Sequence, residues 1–471
     1  MIGTALPRLC GAGMIVPLAD GTSRRYVNLD CAASTPALED VVTAVNEALP
    51  YYSSVHRGAG HLSQVSTRLY EAARQAVATF VGARDSDSVV FVRNTTDAIN
   101  HLAACLRVPA GSAVLVTEVE HHANLLPWRR LGTVIHLPPP ATPAALLDSM
   151  DAALRAAGGR VAVVAVTGAS NVTGEVMPVA AMARIARAHG ALISVDAAQL
   201  APHRAIDMAA MDIDCLAFSG HKMYAPFGAG ALVVRTDLVS DAEPLLVGGG
   251  AVDFVTLDDV LWTGMPDRLE AGSPNVIGAI ALGVATTALA TAGMERIAEH
   301  ERDLLARVDA AFALLPRLQR LRLWDGDDVD RLGVVTFTVD GMHHALVAAA
   351  LSAEHGIGVR HGCFCAHPYI THLLGIDAVA ADTVRSSLRR GERAGIPGAV
   401  RASFGIGTST ADIDDFVTAM AELLERGPRL EYHQDEHTGD FLPVADERAW
   451  PHFRGLPSLD SAGHAAGCGQ F

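Results

Sequence analysis

Between residues 85 and 235 short, near-continuous apolar runs alternate with helical patterns, and this alternation limits the fold more than any other feature of the chain. The runs are Ser88-Val-Val-Phe-Val, Ala113-Val-Leu-Val, Val161-Ala-Val-Val-Ala-Val, Ala191-Leu-Ile-Ser-Val, Cys215-Leu-Ala-Phe and Ala231-Leu-Val-Val. A strand that is apolar on both faces has to be covered on both faces, which is the condition of a parallel sheet held between layers of crossover helices. The spacing therefore predicts an α/β fold with a mostly parallel sheet. Reactive groups on such a sheet gather at the carboxyl ends of the strands.

After Gly293 the pattern changes. It predicts a long helix over 295–315, a strand pair near Leu321 and at Val334-Val-Thr-Phe-Thr-Val, a helix near Ala345 and a last helix over 410–425, together a smaller α+β unit. The expected division is a large domain over 27–272, a small domain built from 1–26 and 273–426, and a polar arm or tail over 427–471. The uncharged run over 272–294 is long enough to raise a membrane span, but it is rich in Gly, Ala and Thr and opens with Pro274, so a buried helix is expected. Nothing at the N-terminus reads as a signal peptide. Seven cysteines, an odd number, make no disulfide framework and fit a reducing cytoplasm. A formal charge of −16 argues against nucleic acid as partner.

The cations are lopsided: among 36 Lys and Arg the only lysine is Lys222. It stands in Phe218-Ser-Gly-His-Lys, directly after an apolar strand. A partly desolvated lysine forms a Schiff base with an aldehyde, and no arginine replaces it there. The preceding strand ends in Ile193-Ser-Val-Asp-Ala-Ala-Gln. Asp196 is suited either to hold a protonated ring nitrogen of pyridoxal phosphate or to cap the next turn. Thr95 and Thr96, where a strand passes into a helix, offer hydroxyls and N–H groups to a phosphate, or simply cap the helix. Ser219 and His221 lie close enough in sequence to complete that cradle.

These residues carry a resemblance. Thr95-Thr96, Glu120-His-His-Ala-Asn, Ser170-Asn-Val-Thr-Gly, Asp196-Ala-Ala-Gln, Ser219-Gly-His-Lys, Glu270-Ala-Gly-Ser-Pro-Asn and Arg401-Ala-Ser resemble, in order and spacing over residues 26–425, the class V aminotransferase fold of pyridoxal-phosphate enzymes (fold type I). Within it the chain is similar to the Suf-type (group II) cysteine desulfurases and selenocysteine lyases. The resemblance implies that Lys222 binds the cofactor covalently and that His121 stacks on its ring and moves protons. It pairs Asp196 with the ring nitrogen and sets Gln199 and Asn171 at the ring oxygen. Thr95, Thr96, Ser219 and His221 are implied at the phosphate, with Ser273 reaching it from a second subunit of a homodimer. Arg401 is implied at the substrate carboxylate, with Arg360 and Asn171 beside it.

The segment Val359-Arg-His-Gly-Cys-Phe-Cys-Ala-His-Pro aligns with the family's catalytic-cysteine loop and makes Cys365 the nucleophile that takes sulfur as a persulfide. A thiolate needs a nearby cation or dipole, and Arg360, His361 and His367 are available. In an extended segment His361, Cys363, Cys365 and His367 share one face, which raises a metal site; a buried structural thiol is the third reading. Catalysis is preferred and no metal is expected. Between the two cysteines, sulfur relay is favoured over a strained direct disulfide. Suf-type enzymes usually carry two histidines where this chain has Cys363 and Phe364. The Gly-Cys-Phe-Cys form is similar to the molybdenum cofactor sulfurases. The stretch over 371–398, with Arg385, Arg389, Arg390 and Arg393, is longer than the family connection by about twenty residues and reads as a solvated helix face or a docking patch. His433, His437, His452, His464 and Cys468 match no compact metal spacing.

The expected activity is that of a cysteine desulfurase, a sulfurtransferase that converts L-cysteine to L-alanine and passes sulfur from Cys365 to a protein or metabolite. The alternatives are a carbon-sulfur lyase, a selenocysteine lyase or an epimerase with the same cofactor, and a non-enzymatic scaffold, which Lys222 and Asp196 disfavour.

Overall fold

The computed structural model describes residues 6–326 and 328–456. Its main sheet has seven strands: β1 (Asp87–Val92), β2 (Ala113–Thr117), β3 (Thr133–Leu137), β4 (Val161–Thr167), β5 (Leu192–Asp196), β6 (Cys215–Ser219) and β7 (Gly230–Arg235). Their spatial order is β1-β7-β6-β5-β4-β2-β3. Strands β2 to β6 pair in parallel, and every residue of β2 and β6 is buried. Alternation sorts the side chains into two cores. Leu115, Val164, Val195 and Phe218 enter one, while Val114, Val163, Cys215 and Ala217 enter the other.

Two features depart from a simple reading of the apolar runs. Strand β7 runs antiparallel to both β1 and β6. The connection over 220–229 holds only a 3-10 turn at Gly220–Lys222, and a parallel return needs a crossover of a dozen or more residues. Strand β3 has no counterpart among the runs, because it lies at the sheet edge and four of its five residues are partly exposed.

The second sheet is antiparallel, with β8 (Leu318–Leu321), β9 (Val334–Val339), β10 (Arg360–Gly362) and β11 (Ala399–Ser403) in the order β8-β9-β11-β10. Helices Met294–Phe312, His344–His355 and Thr410–Arg426 bring Val308, Phe312, Val347, Leu351, Phe416 and Met420 onto Val335, Phe337 and Val400. The rings of Phe312 and Phe337 meet edge to face at 5.3 Å. A reciprocal cap between Ser409 and Asp412 starts the last of these helices. Val27–Asn28 pairs in parallel with Ile357–Gly358, which delivers the following Asp30 to the edge of β11.

The run over 272–294 forms the buried helix Val276–Ala292, and among the described residues no single helix is long and apolar enough to cross a membrane. Within 371–398 lies the helix Ala378–Arg389, which buries no residue; Arg385 pairs with Asp382 and, just beyond it, Arg390 with Glu392, as on a solvated face.

Of the arm or tail expected over 427–471, the first part carries regular structure. Tyr432–Gln434 and Phe441–Pro443 form a hairpin. Buried Glu354 anchors it by accepting from the backbone N–H of Arg429 at 2.9 Å and the Tyr432 hydroxyl at 3.0 Å. Two of the tail residues named above, His464 and Cys468, lie outside the described residues.

Helix Val276–Ala292 lies along helix His61–Phe80 so closely that a Cβ on Gly283 would stand 2.7 Å from the Cα of Ala73. Backbone cannot yield as a side-chain tip does. Gly283→Leu is expected to destabilise the protein by about 1–3 kcal/mol despite leucine's better helix propensity, read as a lower urea midpoint at unchanged slope.

Candidate active site

The carboxyl ends of β2, β4, β5 and β6 open into one cavity of about 250 Å³. Its walls include Thr95, Thr96, His121, Asn171, Asp196, Gln199, Ser219, His221, Lys222, Arg360, Cys365 and Arg401. Of the site residues expected from sequence, Ser273 alone lies elsewhere, in a hollow with Tyr52, His56, Arg57 and Glu270.

Lys222 ends the 3-10 turn after β6. Burial and the Arg401 cation pull its ammonium down to about 8, against the opposing pull of Asp196. Asp196 closes β5 and accepts from the Ala198 N–H at 2.9 Å, so the capping role and a cavity-facing role coexist. Burial pushes its carboxyl up, and the Ala198 N–H and Lys222 oppose this. His121 accepts from the Ala123 N–H through Nδ1 at 3.0 Å, and burial lowers its pKa to about 3. At neutral pH its ring is therefore uncharged with the proton on Nε2.

Thr95 opens the helix Thr95–Cys105, and the Ser219 hydroxyl ties it to β6 through the Thr95 N–H at 2.8 Å and Oγ1 at 2.6 Å. This needs close backbone approach at β7, where a Cβ on Gly230 would stand 2.9 Å from the Cα of Asn94. The result is a ring of hydroxyls at a helix N-terminus, which suits a phosphate.

Arg401, on β11, is 3% exposed and holds three segments together. Its Nη1 donates to the Asn171 carbonyl at 2.9 Å, its Nη2 to Asp30 Oδ1 at 3.1 Å, and its guanidinium lies 4.9 Å from the Phe364 ring. Arg360 stands directly opposite Arg401 across the strand pair, an unfavourable meeting of like charges. Asp30 offsets it, with Oδ2 3.7 Å from Arg360 Nη1. Sequence reasoning did not find Asp30, because 371 residues separate it from Arg401 and no local motif marks it.

The segment around Cys365 is not extended, which corrects the one-face reading of His361, Cys363, Cys365 and His367. Phe364 and Cys365 both have φ of +54°, and the Ala366 N–H donates to the Cys363 carbonyl at 2.9 Å. This is a β-turn with both central residues left-handed, costing about 1 kcal/mol for each non-glycine residue. Neighbouring segments hold it. Asn171 Nδ2 donates to the Phe364 carbonyl at 2.8 Å and the His122 N–H to the Cys365 carbonyl at 2.8 Å. The turn sends Cys365 to the cavity, while Cys363 Sγ lies 3.0 Å from His367 Nε2. His361 faces away toward Asp440 at 3.3 Å, and no group of three or more metal-binding side chains forms among the described residues.

The cavity fits pyridoxal phosphate on its own chemistry. A half-buried amine, a buried carboxylate and a hydroxyl-lined helix end face one space. Two buried polar atoms in its wall, Gln199 Oε1 and Arg401 Nε, have no hydrogen-bond partner among the described residues.

Residues 27–416 match the aminotransferase class-V family. The chain is 33% identical over 412 residues to a probable cysteine desulfurase of Staphylococcus epidermidis, covering 86% of this chain and 93% of that protein. It is 34% identical over 406 residues to a cysteine desulfurase of Klebsiella pneumoniae, covering 84% and 93%. Among solved structures, the apo cysteine desulfurase of Thermococcus onnurineus superposes with a TM-score of 0.75 at 32% identity, over 90% of this chain and all of the other.

Only the uncharged amine of Lys222 attacks an aldehyde, and its pKa is lowered to about 8. The rate of covalent pyridoxal phosphate uptake by the cofactor-free protein is expected to rise about tenfold per pH unit and level off above about pH 8. A stopped-flow absorbance series checks this, and a rate still climbing at pH 10 contradicts it.

Proposed function

The chain belongs to the aminotransferase class-V family, and from that premise we propose that it is a pyridoxal-phosphate cysteine desulfurase, taking sulfur from L-cysteine onto Cys365 and releasing L-alanine. The observation that carries the reading is the placement of Cys365 in one cavity with Lys222, Asp196 and Arg401. A lyase that works by elimination has no need of a thiol there.

When bound, pyridoxal phosphate supplies an electron sink that stabilises negative charge at the substrate α-carbon. The residues of this chain do the rest. Thr95, Thr96, Ser219 and His221 would hold the phosphate, Asp196 would pair with the ring nitrogen, and Gln199 and Asn171 would serve the ring oxygen, all of them lining the one cavity. Lys222 anchors the cofactor and, once free, moves the α-proton on Nζ, for which burial has made it a weaker cation. His121 presents an uncharged ring with its proton on Nε2. Arg401 receives the substrate carboxylate, for which its Nε, without a hydrogen-bond partner among the described residues, is available, and Arg360 adds a second cation at the same wall. Cys365 attacks the substrate sulfur as thiolate. The Cβ–S bond breaks, its electron pair returns to carbon, and the sulfur stays on Cys365.

The proposal includes a homodimer in which Ser273 completes the phosphate site of the partner, which accords with its position outside its own cavity. The fold division expected from sequence, with 27–272 as the cofactor-binding unit, belongs to the same reading. So does a cytoplasmic setting, with an unidentified protein or metabolite as sulfur acceptor.

Mass spectrometry of the intact protein after L-cysteine should find added sulfur on Cys365. Cys365→Ser should lower alanine formation by more than about 100-fold while keeping the visible absorbance of the bound cofactor. Lys222→Ala should lose both. Alanine formed at the full rate by Cys365→Ser would replace the persulfide reaction with elimination. Light scattering checks the dimer, and a fully active monomer contradicts it.

A further inference from the structure

Cys363 is a second thiol in the catalytic turn, and it has its own partners. Its Sγ lies 3.0 Å from His367 Nε2; His367 Nδ1 lies 3.1 Å from His122 Nε2, with the two ring planes 3° from parallel and their centroids 4.9 Å apart. The proton positions follow from one further contact. The backbone N–H of His367 also points at His122 Nε2, at 3.3 Å, and a backbone N–H can only donate. His122 Nε2 therefore carries a lone pair, and His367 Nδ1 must carry the proton that faces it. In a neutral ring this leaves His367 Nε2 unprotonated, as the acceptor of the Cys363 thiol proton. Burial keeps both rings uncharged at neutral pH, His122 with a pKa lowered to about 4 and His367 shifted the same way. A nucleophile, a base and a third group orienting that base are the parts of an activated thiol.

The dyad is built into the same strained turn as Cys365. His122 reaches both cysteines, through its ring to His367 and through its backbone N–H to the Cys365 carbonyl. Cys363 and Cys365 lie within one β-turn, whose ends are less than about 7 Å apart. A persulfide on Cys365 extends its reach by one S–S bond, about 2 Å.

We propose that Cys363, with His367 as base and His122 as the group that orients it, is a second sulfur carrier that takes the outer sulfur from Cys365 and presents it to the acceptor. His367 Nε2 takes the Cys363 proton, and the Cys363 thiolate attacks the outer sulfur of the Cys365 persulfide. A new S–S bond forms at Cys363 as the Cys365 S–S bond breaks. Cys365 leaves as thiolate and recovers the proton. One persulfide replaces another, so no oxidant or reductant is consumed. The transfer clears Cys365 for another substrate and moves sulfur from the cofactor cavity onto a half-buried thiol.

The step rests on the desulfurase reading, but the activated thiol can be measured without it. In Cys365→Ser the rate of Cys363 alkylation by iodoacetamide is followed against pH. The expectation is ready alkylation at pH 7, falling about tenfold when His367→Gln is added and recovering only toward the ordinary thiol range near about 8.5. His122→Phe, which keeps a flat ring beside His367 and removes the acceptor, is a second route to the same loss. In the otherwise wild-type holoenzyme, a substoichiometric pulse of L-cysteine followed by quenching and peptide mapping should find sulfur on Cys365 first and Cys363 later. In His367→Gln it should remain on Cys365. Equal alkylation with and without His367, or sulfur that never reaches Cys363 in a wild-type enzyme that forms alanine, overturns the proposal. A wild-type enzyme that forms no alanine, with His367-dependent alkylation intact, overturns the desulfurase reading and leaves the activated thiol standing.

Discussion

The parallel strands of the main sheet are buried on both faces, and the rest of the molecule is arranged around that constraint. Apolar side chains from alternate positions of β2, β4, β5 and β6 fill two separate cores, and apart from Ser194 within β5 the polar residues of these strands stand at their carboxyl ends. The polar groups that line the cavity are therefore displaced to one edge. Asp196 closes β5, Ser219 closes β6, and Lys222 follows within a single 3-10 turn.

A second junction completes the site from the other sheet. Arg401 links the segment after Val27–Asn28, the loop after β4 and the turn that bears Cys365 through one buried guanidinium. Burying that charge is unfavourable, and Asp30 offsets part of it. Arg401 against the Phe364 ring, together with Asn171 Nδ2 on the Phe364 carbonyl and the His122 N–H on the Cys365 carbonyl, holds Phe364 and Cys365 in left-handed conformations that neither residue favours. Strain at the turn and burial of the arginine are thus offset by one set of interactions, and both place a thiol at a cavity that also holds an amine.

Desolvation sets the electrostatics. His121, His122 and His221 all have pKa values lowered to about 3 or 4, chiefly by burial, so at neutral pH the imidazoles around the cavity bear no charge. The charge at the cavity comes from Lys222, Arg360 and Arg401, with Asp30 and Asp196 as counterweights. The histidines are fixed instead by hydrogen bonds at defined ring atoms, His121 Nδ1 accepting from the Ala123 N–H and His122 Nε2 from the His367 N–H.

Much of this was legible from the chain alone. Strands buried on both faces have to be written as apolar runs, so the α/β class and six of the seven sheet strands could be read directly, and the lone lysine after one of them marked the site. The edge strand β3, the reversed β7 and the hairpin at Tyr432–Gln434 were not legible, because edges, short connections and docking onto Glu354 leave no periodic signal. At the site, residues next to strand ends were found and those that meet only in three dimensions were not. Asp30 reaches Arg401 across 371 positions, and His122 reaches His367 across 245. The spacing of Cys363 and Cys365 suggested a shared face because alternation assumes extended backbone. Two left-handed residues, held by Asn171, His122 and Arg401, break that alternation and send the thiols to different partners. Local sequence determined which side chains the loop carries; backbone conformation imposed by distant segments decided where each one points.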